Sequence, residues 1–502
     1  MDTVQNLIVG FQVALSWQNL FFCFMGCLMG TLIGVLPGIG PAAGVSILIP
    51  LTFGMDTTTA LITMAGLYFG AMYGGSTTSI LVNVPGEAAS VVTALDGYQM
   101  ARKGRAGPAL GMAALSSFFA GTVSVILITF TAPLLVSVAL SFGPPEYFAL
   151  TFLGLTLVTS LTGESAIKGL MSGVFGLIIA CVGIDPSSGY ARFTYGQLYL
   201  LDGLGFINIA VGLFAVAEVM ENMERPAAEI YAKTKLSFRS MFPNLQDWKD
   251  SFGALWRGTS IGFLVGVLPG AGPTIASFLC YTLERKISRH PEKFGTGVIE
   301  GVAAPEGANN AAAGGAFVPM LTLGIPGSGV TAILLGALLL HGLRPGPMLM
   351  QTNPQFVWGL IASMYIGNVM LVILNMPLIG LWVSMLRVPY QVMMPLIVAI
   401  SAVGIYATEN NIFDLWVMFG FGVLGFVMRK LDFPASPIVL AVVLGPLVEN
   451  SLKQSMTLSG GSLAIFFTRP IAAVFIIFAL CSVFAPLFSS AWRKLREEGD
   501  DA

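Results

Sequence analysis

The stretch Gly30-Thr-Leu-Ile-Gly-Val-Leu-Pro-Gly-Ile-Gly-Pro41 decides how this chain folds, because it cannot form one continuous helix. Pro37 and Pro41 lack the amide hydrogen that a helix interior needs, and Gly38 and Gly40 permit positive φ angles. The stretch lies inside the run 3–55, which contains no Asp, Glu, Lys or Arg. It therefore predicts a broken helix within a long apolar segment.

The composition places such apolar segments in a membrane. Of the 502 residues, 55% are hydrophobic and only 10% are charged, whereas soluble proteins carry ~25% charged residues. Uncharged runs longer than the roughly 20 residues that span a bilayer recur at 106–145, 258–283, 307–343 and 345–386. We predict an all-α polytopic membrane protein with about 10–14 membrane elements. The composition excludes a soluble enzyme, a nucleic-acid-binding protein, a secreted disulfide scaffold and an outer-membrane barrel.

The motifs of common enzymes and metal sites are missing from the sequence. It contains five Cys without a CxxC pair and two His without a ligand spacing, so we expect neither a disulfide framework nor a metal centre. No GxxxxGK[ST], HExxH or GxSxG motif occurs. We expect no enzymatic activity, no cofactor apart from a coupling ion, and no cleaved signal peptide.

The chain repeats itself. Gly262-Phe-Leu-Val-Gly-Val-Leu-Pro-Gly-Ala-Gly-Pro273 matches the first stretch at nine of twelve positions. A second pair has the same order: Gly74-Gly75 precedes Val84-Pro85-Gly86, and Gly314-Gly315 precedes Ile325-Pro326-Gly327. We therefore predict two homologous repeats, each with two breaks in the form of broken helices or re-entrant hairpins.

The charges of the loops predict that the two repeats have inverted topology. The loop 54–57 carries one Asp and no base, whereas its counterpart 284–296 carries four bases. Conversely, Arg102, Lys103 and Arg105 follow Pro85-Gly86, whereas only Arg344 follows Pro326-Gly327. Basic loops stay in the cytoplasm, so corresponding loops would face opposite sides, as in many secondary transporters. Duplication without inversion is the alternative.

The same charges suggest a division of the chain into three parts. We predict a first membrane repeat at 1–220, a charged cytoplasmic connector at 221–257, and a second repeat with a cytoplasmic C-terminal tail at 258–502. Arg493, Lys494 and Arg496 make that tail basic. The connector is predicted to be a solvated link, with a regulatory docking site as the alternative.

The two breaks predict a binding site between the repeats. Backbone freed from a helix within the membrane must face protein or a water-filled cavity. Half-helix N-termini then offer amides to anions, and carbonyl groups coordinate cations. The candidate substrate- or ion-binding residues, with a sodium site among them, lie in or beside the breaks: Pro37, Gly38, Gly40, Ser76, Thr77, Thr78, Asn83, Gly86, Gly270, Gly272, Thr274, Asn309, Asn310, Gly327 and Ser328. The alternatives are proline kinks used for packing and hydrogen bonds between helices.

The doubled LPGxGP motif, together with Tyr73-Gly-Gly-Ser-Thr-Thr-Ser79 and Asn83-Val-Pro-Gly-Glu87, resembles the large membrane subunit of the tripartite tricarboxylate transporters. The resemblance covers essentially the whole chain. It implies a bacterial inner-membrane importer of citrate or other carboxylates, multi-pass with a cytoplasmic C-terminus and driven by a sodium or proton gradient. It also implies two partners, a small four-helix membrane subunit and a periplasmic solute-binding protein, but no nucleic acid. An elevator-type motion follows only by analogy between folds.

Two other functions remain open at this point. The same Pro-Gly hairpins can line the selectivity filter of an ion or solute channel. A membrane enzyme or an assembly scaffold is the third class, and no catalytic constellation in the sequence supports it.

Overall fold

The computed structural model describes residues 3–36, 40–161, 165–185, 188–224, 238–385 and 390–483. These residues form helices almost throughout, so the prediction of an all-α polytopic fold is confirmed. Among the described residues, six helices are long and apolar enough to cross a membrane: Trp17–Val35, Ala106–Ala139, Phe206–Glu224, Pro354–Asn375, Ile412–Lys430 and Ser436–Leu458. Shorter apolar helices accompany them. The exact number of membrane elements stays a prediction.

The first repeat contains two interrupted helix pairs. Its helices are α1 Thr3–Ala14, α2 Trp17–Val35, α3 Pro41–Leu51, α4 Thr57–Val82 and α5 Val91–Arg102, with a 3₁₀ turn Ala88–Ser90 before α5. Asp56 begins α4 by accepting hydrogen bonds from the amides of Thr58 and Thr59. Asn83 ends α4 in the left-handed conformation, with φ +58°.

The helices α6–α10 follow α5 and occupy the rest of the predicted first repeat, with α10 extending into the predicted connector. They are α6 Ala106–Ala139, α7 Pro144–Leu161, α8 Ala166–Ala180, α9 Phe206–Ala210 and α10 Ala217–Glu224. A π-helical turn, Val211–Val216, joins α9 to α10 in one continuous helix. The strands β1 Gly183–Ile184 and β2 Ala191–Arg192 pair antiparallel between α8 and α9, and they are the only strands in the described ranges.

The second repeat matches the first from α2 onwards. Its helices are α11 Leu245–Val267, α12 Gly272–Ile287, α13 Glu300–Gly315, α14 Phe317–Leu323 and α15 Gly329–Leu340. The helices α11, α12 and α15 correspond to α2, α3 and α5, and α13 with α14 corresponds to α4. Gly324 ends α14 with φ +73°, just as Asn83 ends α4. The helix α11 begins within the predicted connector 221–257, so the ordered second repeat starts at Leu245. Residues 225–237 of the connector lie outside the described residues.

Within the described residues, eight further helices follow α15. They are α16 Leu349–Thr352, α17 Pro354–Asn375, α18 Ile379–Met385, α19 Tyr390–Glu409, α20 Ile412–Lys430, α21 Ser436–Leu458, α22 Ile465–Thr468 and α23 Pro470–Val483. The helix α17 packs on α1, α4 and α6, and α20 packs on the π turn and α10. The basic tail 493–496 lies outside the described residues.

Each repeat is held together by a glycine face. A Cβ atom at Gly30 of α2 would meet the backbone of Leu67 in α4, and one at Gly262 of α11 would meet the backbone of Ala308 in α13. Gly34 and Gly266 make the next matching contacts, with Ala71 and Ala312. Small residues allow membrane helices to approach this closely. The contacts also show that the paired helices within each repeat run parallel.

The two repeats run in opposite directions where they meet. Ser76 of α4 donates to Glu306 of α13 at 2.7 Å, and the rings of Phe69 and Phe317 stack with centroids 5.8 Å apart. Residue numbers fall along α4 as they rise along α13 and α14, so these equivalent helices are antiparallel. The inversion of the repeats relative to the bilayer stays a prediction, because these contacts fix the directions of the helices only relative to each other.

Candidate functional site

A cavity of about 610 Å³ lies between the breaks of the two repeats. Its lining includes the residues at which four half-helices begin: Gly40 before α3, Glu87 before the turn that leads into α5, Gly272 at the start of α12, and Ser328 before α15. The positive ends of four helix dipoles therefore meet at one cavity. The backbone amides at these ends can bind an anion, although the carboxylates of Glu87, Glu218 and Glu221 also line the cavity.

Two reciprocal hydrogen bonds close one wall of the cavity. Aligning Pro85-Gly86 with Pro326-Gly327 pairs Tyr68 with Asn309 and Glu87 with Ser328. Asn309 Nδ2 donates to Glu87 Oε1 at 3.0 Å, and the hydroxyls of Tyr68 and Ser328 are 3.4 Å apart. The same pair of positions is thus in contact twice, once from each repeat, as a local two-fold relation requires.

A cluster of charged residues lies at the other wall. Glu218 Oε1 accepts a hydrogen bond from the amide of Gly40 at 2.9 Å, at the N-terminus of α3. Arg429 of α20 contacts Glu218 at 3.4 Å and Glu221 at 2.8 Å. The sequence analysis missed all three residues. The only local signal was a pair of carboxylates at positions i and i+3 near the end of an apolar helix.

The backbone of the breaks differs between the two repeats. Gly270 has φ +83° and Gly272 has φ +61°, the left-handed values for which glycine is favoured. Gly40 has φ −71°, so it does not use the positive φ that glycine permits. Its extended backbone instead directs its amide at Glu218. Pro37 and Gly38 lie outside the described residues.

Six of the candidate residues line the large cavity: Gly40, Gly86, Gly270, Gly272, Thr274 and Ser328. Others have structural partners elsewhere. Thr78 donates to the carbonyl of Val35 at 2.7 Å, Asn83 is the cap of α4, and Gly327 packs against Ala316 and Gly266. Asn309 contributes indirectly, because it fixes the carboxylate of Glu87.

The remaining polar candidates belong to a second group of residues around Glu306, a residue to which the sequence analysis assigned no role. Ser76, Thr77 and Glu306 line a cavity of only about 10 Å³. The carboxylate of Glu306 accepts from Thr93 at 2.5 Å, Ser76 at 2.7 Å and Ser117 at 3.3 Å. Asn310 Nδ2 donates to Ser117 at 2.7 Å.

A multi-pass helical protein with a cavity between two broken repeats has the architecture of a secondary transporter. A family model described as the tripartite tricarboxylate transporter TctA family matches residues 20–440, and the chain belongs to this family. The family works within a tripartite system that also contains a small membrane subunit and a periplasmic binding protein.

Two relatives come from Agrobacterium vitis. The chain is 49% identical over 495 residues to an "Uncharacterized 52.8 kDa protein in TAR-I ttuC' 3'region", which covers 98% of both proteins. It is 48% identical over 233 residues to an "Uncharacterized protein in TAR-II ttuC' 3'region", which covers 46% of this chain and 96% of the relative. No solved structure matches the chain.

Proposed function

We propose that this chain is the membrane permease subunit of a binding-protein-dependent secondary transporter that imports tricarboxylates or related carboxylates. The observation that carries the proposal is the meeting of four half-helix N-termini at one cavity. Such termini bind carboxylates through backbone amides, without a buried counter-charge of their own. The volume of about 610 Å³ lies within the usual range for small-molecule sites.

The position of Glu218 supports this choice of substrate. Its carboxylate occupies the N-terminus of α3 and contacts Arg429, so this part of the cavity already binds a carboxylate from the protein itself. A substrate carboxylate would compete with Glu218 for the same amide and the same guanidinium group. Arg429 suits this role, because its planar donors match a carboxylate in two-pronged geometry.

The remaining parts of the proposal follow from the family and from the charge pattern. A sodium or proton gradient drives import, and the periplasmic binding protein delivers the substrate. The chain resides in the bacterial inner membrane with its C-terminus in the cytoplasm, because its basic loops and tail face that side. One repeat moving against the other would expose the cavity to each side in turn.

The test is uptake of labelled citrate and other carboxylates into proteoliposomes under sodium or proton gradients. Samples with and without the binding protein and the small subunit are compared. Arg429→Gln should abolish uptake, because it removes the cationic group of the cavity. Lys430→Gln is the matched control, since Lys430 is adjacent in sequence but pairs with the exposed Glu224.

Each result decides between alternatives. Normal uptake by the Arg429→Gln variant would refute the assignment of the site. Flux that does not saturate and needs no ion gradient would favour the channel. Undiminished high-affinity uptake without the two partners would place the chain outside the tripartite scheme.

A further inference from the structure

Glu306 is a buried carboxylate without a cationic partner. It is 0% exposed, and its contacts within the described parts of the chain are the hydroxyls of Thr93, Ser76 and Ser117. No Lys, Arg or His of those parts forms an ion pair with it. An ionised carboxylate in such a place is costly unless a positive charge compensates it. Either a proton or a bound cation must therefore compensate the charge of Glu306.

The cavity next to Glu306 has the size of a single small ion. Its volume of about 10 Å³ is close to the lower limit for one water molecule. Ser76, Thr77 and Ser117 line it together with Glu306, and Asn375 of α17 closes it on one side. Any bound species must therefore enter without its hydration shell and must be coordinated by the protein.

Asn375, which lines the same cavity, has a side-chain oxygen without a partner within the described residues. Asn375 is 4% exposed, and its Nδ2 donates to the carbonyl of Leu371 at 2.9 Å. Its Oδ1 has no donor within the described residues. Buried amide oxygens are usually satisfied. Three asparagine oxygens are unpaired within the described residues, those of Asn309, Asn310 and Asn375, and of these residues only Asn375 lines this cavity. A cation between Asn375 and Glu306 would satisfy both groups, whereas a proton on Glu306 would satisfy only the carboxylate.

We propose that Glu306, Ser76, Ser117 and Asn375 bind one dehydrated sodium ion, which is the coupling ion of the transporter. Only the role of this sodium ion as the coupling ion rests on the proposed function; the sodium site itself does not. All four residues offer oxygen, as hard cations require, and no thiolate or imidazole is among them. A single carboxylate balances a monovalent ion rather than a divalent one.

The ion site and the substrate cavity share the helix α13. Glu306 lines the proposed ion site and Asn310 donates to Ser117 of that site, while Asn309 fixes Glu87 in the wall of the large cavity. An ion that orders α13 thereby orders that wall. Since coupling between two binding events is reciprocal, sodium raises the affinity for the carboxylate and the carboxylate raises the affinity for sodium.

The direct test is equilibrium binding of ²²Na⁺ to the purified full-length chain in nanodiscs, with choline replacing sodium at constant ionic strength and with no carboxylate present. The wild-type chain should bind sodium saturably. Glu306→Gln should abolish that binding, and Ser117→Ala should weaken it about fivefold through the loss of one ligand. Ser116→Ala is the matched control: its buried hydroxyl has no partner within the described residues, and it should bind as the wild type does.

Two results would overturn the site: a wild-type chain without saturable sodium binding, or a Glu306→Gln variant that still binds sodium. If Glu306→Gln is not monodisperse, Ser117→Ala and Asn375→Ala decide, and unchanged affinity in both refutes the site. Proton-driven citrate uptake without sodium binding would remove the ion site and leave the proposed function intact. Sodium binding without any carboxylate uptake would leave the ion site intact and refute the proposed function.

Discussion

The two repeats have the same helix packing, but they differ in the residues and backbone angles around the site. Gly30 against Leu67 and Gly262 against Ala308 are the same helix contact made twice, in repeats that run in opposite directions. At the matched glycines of the breaks, however, Gly40 has φ −71° and Gly272 has φ +61°. Duplication therefore explains the scaffold, whereas the site depends on where the two copies have diverged.

The largest divergence lies between α4 and the pair α13 and α14. The alignment that pairs Glu87 with Ser328 also pairs Phe69 with Asn310 and Ser76 with Phe317. Phe69 and Phe317 stack at 5.8 Å, whereas Asn310 and Ser76 belong to the polar residues around Glu306. The two pairs are equivalent in the alignment. Phe69 and Phe317 form an aromatic core, whereas Asn310 and Ser76 belong to the candidate ion site.

The orientation of the repeats gives the largest expected effect, because it is all-or-none. In a Cys-free background, cysteines at Met55 and Gly346 should react with an impermeant maleimide from the periplasm. Cysteines at Gly104 and Ser288 should react only after the membrane is permeabilised. Labelling of Met55 and Ser288 from the same side would contradict the inversion and would leave a simple duplication.

The matched glycines of the breaks should differ sharply in their tolerance of substitution. Gly272→Val should abolish transport, because valine is strongly disfavoured at φ +61°. A Cβ at Gly272 would also lie 3.3 Å from the Cβ of Ser328. Gly270→Val, at φ +83°, should behave in the same way.

Gly40→Val is the control for these variants. Its φ of −71° suits any residue, and a Cβ there would meet only Glu218, at 3.9 Å. Citrate uptake normalised to folded protein in the membrane is the measurement. Equal losses in Gly40→Val and Gly272→Val would show that conformation is not what separates the two breaks.

Glu218 marks a second asymmetry, because it occupies the N-terminus of α3 whereas no carboxylate contact is described at the N-terminus of α12. Glu218→Gln removes a negative charge that competes with the substrate for Arg429. Equilibrium binding of labelled citrate to the chain in nanodiscs should become about tenfold tighter. Glu224→Gln, next to Lys430 and outside the cavity lining, should have no effect. Weaker binding by Glu218→Gln would mean that Glu218 positions the substrate instead.

The smallest effect concerns the pair Asn310 and Phe69. Asn310→Ala removes the hydrogen bond to Ser117 and should weaken sodium binding by about 1 kcal/mol while the chain stays folded. Phe69→Leu should leave sodium affinity unchanged and lower the thermal unfolding temperature, because it removes part of the aromatic stack. Measuring sodium affinity and unfolding for both variants checks the comparison. It fails if the two variants shift sodium affinity equally.

Local sequence signals marked residues that the structure brings to the cavity: Gly270 and Gly272 have positive φ, and Thr274 and Ser328 line it. That these residues bind substrate or an ion stays a prediction. Local signals say less about polar residues that have two plausible uses. Asn83 beside Pro85-Gly86 has the composition of a ligand and also that of a left-handed helix cap, and the structure uses it as the cap.

The sequence by itself determined the membrane class, the duplication and the positions of the breaks. These follow from the transfer of apolar segments into lipid and from the backbone limits of proline and glycine, which each segment carries alone. Tertiary structure alone decided which helix ends converge and which charges meet them. Glu218 and Arg429 are 211 positions apart, and Ser76 and Glu306 are 230 apart. Contacts at such separations depend on how whole helices pack, and no local pattern in the chain encodes that packing.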